Sequence, residues 1–204
     1  MKKFNDYINE KLVITKDTKS KSIVVHDKFE FKKAVDDIIK QTGNSETVDL
    51  NSIDVSHLVD MTRLLRTYKT IKHLDISDWD VSQIKNMGFM FPPSLETVDL
   101  SRWNVSEVQN MAGMFMSCNN LKEVGNISKW ETKSLENTND MFSDCISIKN
   151  VDISGWDFSK LRQIDRMFYN CRELESIGNI TKEYLTKLTP YSRDTFFFCK
   201  KLKK

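Results

Sequence analysis

The sequence predicts a repeat solenoid, a fold in which similar units stack so that each unit buries the apolar side of its neighbour. Two observations predict it: a Trp-centred string that recurs along the chain, and four cysteines that recur at nearly the same interval. From position 53 to position 156 the string steps by 26, 24, 27 and 26 residues, which predicts five to six repeats. Its copies are Ile53-Asp54-Val55-Ser56 (without Trp), Asp78-Trp79-Asp80-Val81-Ser82, Arg102-Trp103-Asn104-Val105-Ser106, Lys129-Trp130-Glu131 and Gly155-Trp156-Asp157-Phe158-Ser159.

The cysteines occupy one position per repeat and form no close C-x-x-C pair, the spacing that a zinc site shows. They are Cys118, Cys145, Cys171 and Cys199, separated by 27, 26 and 28 residues. This pattern predicts a ladder of small, buried and reduced side chains. The alternative is oxidation between adjacent cysteines, which stacking would bring within ~5 Å of each other.

A strand-like part opens each repeat, with apolar residues that alternate at Leu74/Ile76, Val98/Leu100 and Val151/Ile153. Alternate residues of a strand point to opposite faces, so the residues between the apolar ones are predicted to face outward. Two copies carry an extra Gly-Asn, at 125–126 and 178–179, which predicts a bulge in the strand. The outward positions, which we call the sheet face, are His73, Asp75, Ser77, Thr97, Asp99, Ser101, Glu123, Asn150, Asp152 and Ser154.

A second apolar part follows each Trp string. Met87, Met90 and Phe91 stand at the i, i+3 and i+4 positions, and so do Met111, Met114 and Phe115, a spacing that predicts about one turn of helix. A Met-rich stripe is an alternative binding surface, but its recurrence in every repeat favours core packing. The Trp side chains are likewise predicted to stack in the interior; the alternative is an exposed platform for a ligand.

The segment before the repeats divides into three parts. Residues 1–14 are an amphipathic leader, 15–22 a polar linker, and 23–45 a strand and a helix at about 28–42 that cap the repeats of 46–204. Asp27 and Glu30 form a capping-box-like start for that helix. The apolar residues of the leader, which we expect to dock to a partner, are Phe4, Tyr7, Ile8 and Leu12.

The combined motif carries a family resemblance over roughly residues 46–199. Leu-x-x-Leu-Asp-Leu-Ser-x-Trp-Asp-Val-Ser followed by Asn-Met-x-x-Met-Phe-x-x-Cys resembles the BspA-like leucine-rich repeats and the Mycoplasma-type surface-protein repeats of about 25 residues. The resemblance implies an α/β type leucine-rich repeat solenoid, right-handed, that adheres to other proteins. The opening Tyr-Ile-Asn-Glu-Lys-Leu-Val-Ile also resembles a short leader on tailed-phage proteins, which implies a phage protein whose leader docks to a larger assembly.

Charge and hydropathy exclude several classes of protein. The net charge of the 204 residues is only +2, and residues 46–199 are net acidic, so a nucleic-acid partner is not expected. No run approaches ~18 consecutive apolar residues, so no membrane span is expected. The N-terminus lacks the apolar core of a signal peptide. We therefore expect a cytoplasmic or virion-associated protein.

Two ladders of acidic residues follow the repeat. Stacked carboxylates repel each other, so something must compensate. Local turn hydrogen bonds are the favoured interpretation, and Ca²⁺ bound between repeats is the alternative. The first ladder is Asp49, Asp75, Asp99 and Asp152, and the second is Asp54, Asp80, Asn104, Glu131 and Asp157.

The chain shows no catalytic motif and has only three histidines, His26, His57 and His73. We expect neither an enzyme nor a protein with a cofactor or a metal. The predicted function is a non-enzymatic protein-recognition or scaffolding module that binds a protein partner through the sheet face. The alternative is a purely structural component of a larger particle.

Overall fold

The computed structural model describes residues 22–43, 45–188, 190, 192 and 194–203. The leader at 1–14, with its predicted docking residues Phe4, Tyr7, Ile8 and Leu12, lies outside the described residues. So does the linker, except for Ser22. Within the described part of the chain, no helix is long and apolar enough to cross a membrane.

Regular elements are short and separated by tight turns. The elements are β1 (Ile23–Val24), α1 (Lys28–Gln41), β2 (Thr47–Asp49), β3 (Ile53–Asp54), β4 (His73–Asp75), β5 (Thr97–Val98), a 3₁₀ helix (Ile127–Lys129) and α2 (Lys182–Lys187). In the described part of the chain the strands form two parallel sheets, one of β1 and β3 and one in the order β2-β4-β5.

Successive passes of the chain lie parallel and in register, and we call each pass a coil. Thr47 pairs with His73, His73 with Thr97, and Thr97 with Glu123. A second series of parallel bridges joins Asp60, Asn86, Asn110, Asn137 and Gln163. The paired residues are 24 to 27 positions apart, the interval at which the sequence string recurs.

The Trp side chains lie in the interior, as predicted. Each of the four is at most 5% exposed. Trp103 donates its Nε1 hydrogen to the carbonyl of Ile76 in the preceding coil (3.0 Å) and stacks on Trp79, with ring centroids 6.3 Å apart. The interpretation of these rings as ligand platforms is therefore wrong, because their faces are covered and their only donor is already used.

The Met-Phe part is also buried, but the predicted helical turn is wrong. Met111 to Met114 form a β-turn closed by a backbone hydrogen bond of 3.1 Å, and its third residue, Gly113, has φ +61°. A β-turn also places its first and last residues on the same side, so it satisfies the spacing attributed to a helix. The corresponding left-handed residues of the other coils are Arg63, Phe89, Asp140 and Arg166.

The Phe-x-x-Cys segment is a second turn that joins neighbouring coils. Its Phe rings form a continuous stack with centroids 4.8 to 5.6 Å apart: Phe91, Phe115, Phe142, Phe168 and Phe196. All four cysteines are buried and free, as predicted. Each thiol donates a hydrogen bond to a backbone carbonyl of the preceding coil, for example Cys145 to Phe115 at 3.2 Å. Each buried thiol therefore has a hydrogen-bond acceptor in the preceding coil.

Helix α1 packs against the first coils. Its N-cap Asp27 accepts hydrogen bonds from the backbone N–H groups of Phe29 and Glu30, and Glu30 accepts one from the N–H of His26. This is close to the predicted capping box. In a capping box the Glu30 side chain would accept from the N–H of the N-cap residue Asp27, whereas here it accepts from the residue before it. On the side facing the coils, Tyr68 donates a hydrogen bond to Asp36 (3.0 Å). These contacts place α1 over the start of the stack.

Candidate binding face

The ten predicted sheet-face residues lie on the outside of the parallel ladders. The residues between them, such as Leu74 and Val98, are buried, which is the alternation predicted from the sequence. Four of the ten are half-buried: His73, Ser77, Thr97 and Ser101. The other six are exposed: Asp75, Asp99, Glu123, Asn150, Asp152 and Ser154.

Half of these residues surround one shallow, open depression. It crosses three coils, and the largely buried Leu74 and Val98 contribute to its lining. Asn150, Asp152 and Ser154 lie one coil further along, and His73 is held beside the depression by a contact of 2.9 Å between its Nδ1 and the Thr97 hydroxyl. The predicted residues that line the depression are Asp75, Ser77, Thr97, Asp99 and Glu123.

Turn hydrogen bonds hold the aspartates of this face. The Oδ1 atom of Asp75 accepts hydrogen bonds from the backbone N–H of Ser77 (3.1 Å) and from its hydroxyl (2.8 Å). Asp99 makes the same two bonds with Ser101, at 2.9 and 2.5 Å. The carboxylates are therefore fixed in position while their residues stay exposed to solvent.

Four of the five side chains of the second acidic ladder are held in the same way, as the local interpretation predicted. The N–H groups of Ser56, Ser82, Ser106 and Ser159 bond to the side-chain oxygens two residues earlier, at Asp54, Asp80, Asn104 and Asp157. Among the described residues, no three His, Cys, Asp or Glu side chains are arranged to hold a metal ion. Turn hydrogen bonds thus account for the recurrence of Asp and Asn at these four positions.

Two aspartates of the first ladder have opposite pKa shifts. Burial, together with the neighbouring carboxylate of Asp75, raises the pKa of Asp49. Burial acts in the same direction on Asp75, but hydrogen bonds from Asn51 and Ser77 outweigh it and lower the pKa of that carboxyl. Asp75 is therefore ionised at neutral pH, and the face carries negative charge at the depression.

The Glu and Lys side chains next to the first acidic ladder neutralise each other in pairs. The aspartates of that ladder, which we call the Asp column, are not neutralised in this way. Lys72 pairs with Glu46 (2.6 Å), and Lys122 pairs with Glu96 (2.7 Å). No ion pair is formed by Asp75, Asp99 or Asp152 within the described part of the molecule. The negative potential of the sheet face therefore comes from the Asp column.

The glycines that interrupt the Asp column make room for its carboxylates. A Cβ atom at Gly125 would lie 2.1 Å from Oδ1 of Asp99, and one at Gly178 would lie 2.0 Å from Oδ1 of Asp152. Their φ angles of +78° and +83° are left-handed, a conformation that glycine adopts without steric cost. Sequence reasoning missed the steric role, although the signal was present: each Gly follows an Asp by one repeat.

Comparison with known proteins identifies a family. A family model described as Mycoplasma protein of unknown function, DUF285, matches the chain twice, over residues 33–123 and 93–203. Searches of curated proteins and of solved structures found no match. Two overlapping matches are the expected result for a repeated sequence, and together they extend over most of the chain. The chain belongs to the DUF285 family of Mycoplasma proteins of unknown function.

Proposed function

We propose that the chain is a right-handed solenoid of the BspA-like leucine-rich repeat type that serves as a non-enzymatic protein-recognition module. Parallel coils in register, each bridged to the next at an interval of 24 to 27 residues, support the architecture. Such stacks present an extended surface on which a partner can contact several coils at once. The proposed surface is the sheet face, and the proposed partner is a protein segment rich in Lys or Arg.

One observation carries this proposal: the uncompensated aspartates line a depression to which the apolar Leu74 and Val98 also contribute. Asp75, Asp99 and Glu123 supply negative charge to its lining, and Leu74 and Val98 contribute the small accessible part of their side chains, 5% and 3%. Lys and Arg side chains combine an aliphatic stem with a charged head, so they match both features. The charges would accelerate the encounter and select against acidic partners.

A peptide selection tests this proposal. A random peptide library is displayed and selected on the full chain, and the selected peptides are then tested on the triple variant Asp75→Asn, Asp99→Asn, Glu123→Gln. Asn keeps the oxygen that accepts the turn hydrogen bond, so the variant should retain the fold. We expect the selection to enrich peptides that contain Lys and Arg. These peptides should bind the triple variant at least about tenfold more weakly, because the variant lacks three carboxylates that the basic side chains would contact.

The matched control is Asp80→Asn, which removes an exposed carboxylate held by the same kind of turn hydrogen bond, from Ser82. Asp80 belongs to the second acidic ladder and does not line the depression. We expect it to bind the selected peptides like the unchanged chain. Selected peptides without basic residues, or peptides that bind the triple variant equally well, would contradict the proposal.

A further inference from the structure

The two ends of the stack carry all of the exposed large apolar side chains among the described residues. Repeat proteins ordinarily close both ends with polar surfaces, because an apolar end promotes association. Three of these side chains lie at the C-terminal end and are 46% to 51% exposed: Tyr184, Phe197 and Phe198. Four lie at the N-terminal end, on β1, α1 and the first coil, and are 43% to 78% exposed: Ile23, Val24, Phe29 and Val59.

Phe198 occupies a backbone position that its side chain disfavours. It is the third residue of the last Phe-x-x-Cys turn and has φ +66°. The three preceding turns have small polar residues at this position: Ser117, Asp144 and Asn170. A bulky residue in the left-handed region is strained. The Phe198 side chain is 46% exposed, so packing within the chain does not fully explain why Phe occupies this position. Contact of its ring with a second apolar surface would explain it.

The C-terminal end also presents the groups that join one coil to the next. The ring of Phe197 stacks on Tyr169 (5.9 Å) and meets Phe198 edge to face (4.3 Å). One coil earlier, the N–H of Asn170 donates to the carbonyl of Phe197 (2.8 Å). The equivalent N–H of Phe198 has no following coil among the described residues. Aromatic rings and a backbone donor therefore lie together at this end.

The charges of the two ends are opposite. Residues 23–60 contain eight acidic residues and four lysines, whereas residues 182–203 contain six basic residues and two acidic ones. Opposite charges around two apolar surfaces favour their contact and set its direction. Residues 1–22 add six lysines and three acids upstream of β1. These lysines offset part of the acidic charge at the N-terminal end. We therefore expect the apolar contact to supply most of the affinity, and salt to lower the affinity only in part.

We propose that the C-terminal end of one copy of this chain, at Phe197 and Phe198, binds the N-terminal end of a second copy, at Phe29 and Val59. The two surfaces differ, so the contact is heterologous and continues from copy to copy in one direction. This association is independent of the sheet face, which stays open along the side of the assembly. The occupant of both apolar ends is thus the chain itself.

Sedimentation velocity of the full chain over a range of concentrations tests the proposal. We expect a concentration-dependent increase in mass. Phe198→Gly removes the ring and suits the backbone angle, and Phe29→Gln removes the most exposed ring of the other end. Each variant should weaken self-association at least about tenfold, the effect of losing a central aromatic contact. Ser117→Gly, at the equivalent turn position of an inner coil, should leave it unchanged.

A mixing experiment distinguishes this arrangement from others. Phe198→Gly retains the N-terminal surface and Phe29→Gln retains the C-terminal surface, so an equimolar mixture should form one-to-one dimers and nothing larger. Circular dichroism establishes that both variants are folded. The proposal is overturned if the unchanged chain remains monomeric at millimolar concentration. It is also overturned if Phe29→Gln alone dimerises as well as the unchanged chain, which would mean that two C-terminal ends meet.

Discussion

The ring of Phe31 on α1 meets the indole of Trp79 edge to face, with centroids 5.6 Å apart and planes at 83°. The first copy of the repeat string, Ile53-Asp54-Val55-Ser56, has no Trp. Phe31 therefore closes the Trp stack on the side where an earlier coil would have placed an indole. The other face of Trp79 stacks on Trp103. Helix α1 caps the repeats by supplying the missing aromatic ring.

Phe31→Ala should lower the free energy of unfolding by about 3–5 kcal/mol, because it removes a fully buried aromatic ring and leaves a cavity. Urea denaturation followed by Trp fluorescence measures this change. Phe29→Ala is the control on the same helix, since Phe29 is 78% exposed, and at low protein concentration it should change stability by less than about 0.5 kcal/mol. Equal effects would show that α1 does not cap the core through Phe31.

Gly125→Ala should destabilise the fold more than Gly43→Ala. Both glycines have left-handed φ angles, which cost a residue with a side chain about 1 kcal/mol. A Cβ atom at Gly43 would meet nothing within 4 Å, whereas one at Gly125 would overlap the carboxylate of Asp99. Melting temperatures compare the two variants directly. If they decreased equally, the carboxylate would not be held over Gly125.

The cysteines should differ in reactivity with a thiol reagent. Burial raises the pKa of Cys118 to about 12 and raises that of Cys145 as well. A hydrogen bond with the thiol of Cys171 lowers the pKa of Cys199, the only one of the four whose side chain is not fully covered. At pH 8 we expect Cys199 to react first, and the others to react only on unfolding.

Peptide mapping by mass spectrometry after brief labelling identifies the modified site. Rapid modification of Cys145 in the folded protein would contradict the buried ladder. Modification of all four at one slow rate would mean that labelling requires global unfolding.

Asp49→Asn should stabilise the protein at neutral pH. The pKa of Asp49 is raised, so its ionised form is disfavoured in the folded state, and that penalty is relieved as the pH falls through the folded-state pKa. The gain from Asn should therefore be present at pH 7 and disappear below about pH 4, where the carboxyl is protonated in both states. Melting temperature as a function of pH measures it.

Asp54→Asn provides the comparison of opposite sign. Hydrogen bonds from Ser56 lower the pKa of Asp54, so its ionised form stabilises the fold above the unfolded-state pKa, and this contribution is lost as the pH falls through the folded-state value. The Asn variant should be less stable than the unchanged chain at pH 7. If both variants shifted the melting temperature in the same direction, the environments of the two carboxyls would be misassigned.

Much of the fold was predictable because equivalent residues stack. The burial of Trp103, Phe115 and Cys145 followed from their recurrence, since a side chain repeated at one interval must have the same neighbours in each coil. The outward position of Asp75 and Asp99 followed from period-two alternation. These inferences required only the interval and the chemistry of each position.

The turns were not predictable from the same pattern. A left-handed residue closes the Met-Phe turn in five coils, yet Arg63, Phe89 and Arg166 occupy this position in three of them, so glycine gives a signal only at Gly113. The sequence pattern also did not show that the ring of Phe31 replaces the missing Trp, because α1 lies outside the repeats. In both cases tertiary contacts between coils override local preference.

The affinity of a selected basic peptide for the unchanged chain, compared with the triple variant Asp75→Asn, Asp99→Asn, Glu123→Gln at low and high salt, tests the central claim most directly. The account predicts that at low salt the unchanged chain binds at least about tenfold more tightly than the variant. High salt should narrow this difference, because ions screen exposed charges. Equal affinities for the two proteins, or a difference indifferent to salt, would contradict recognition through the acidic sheet face.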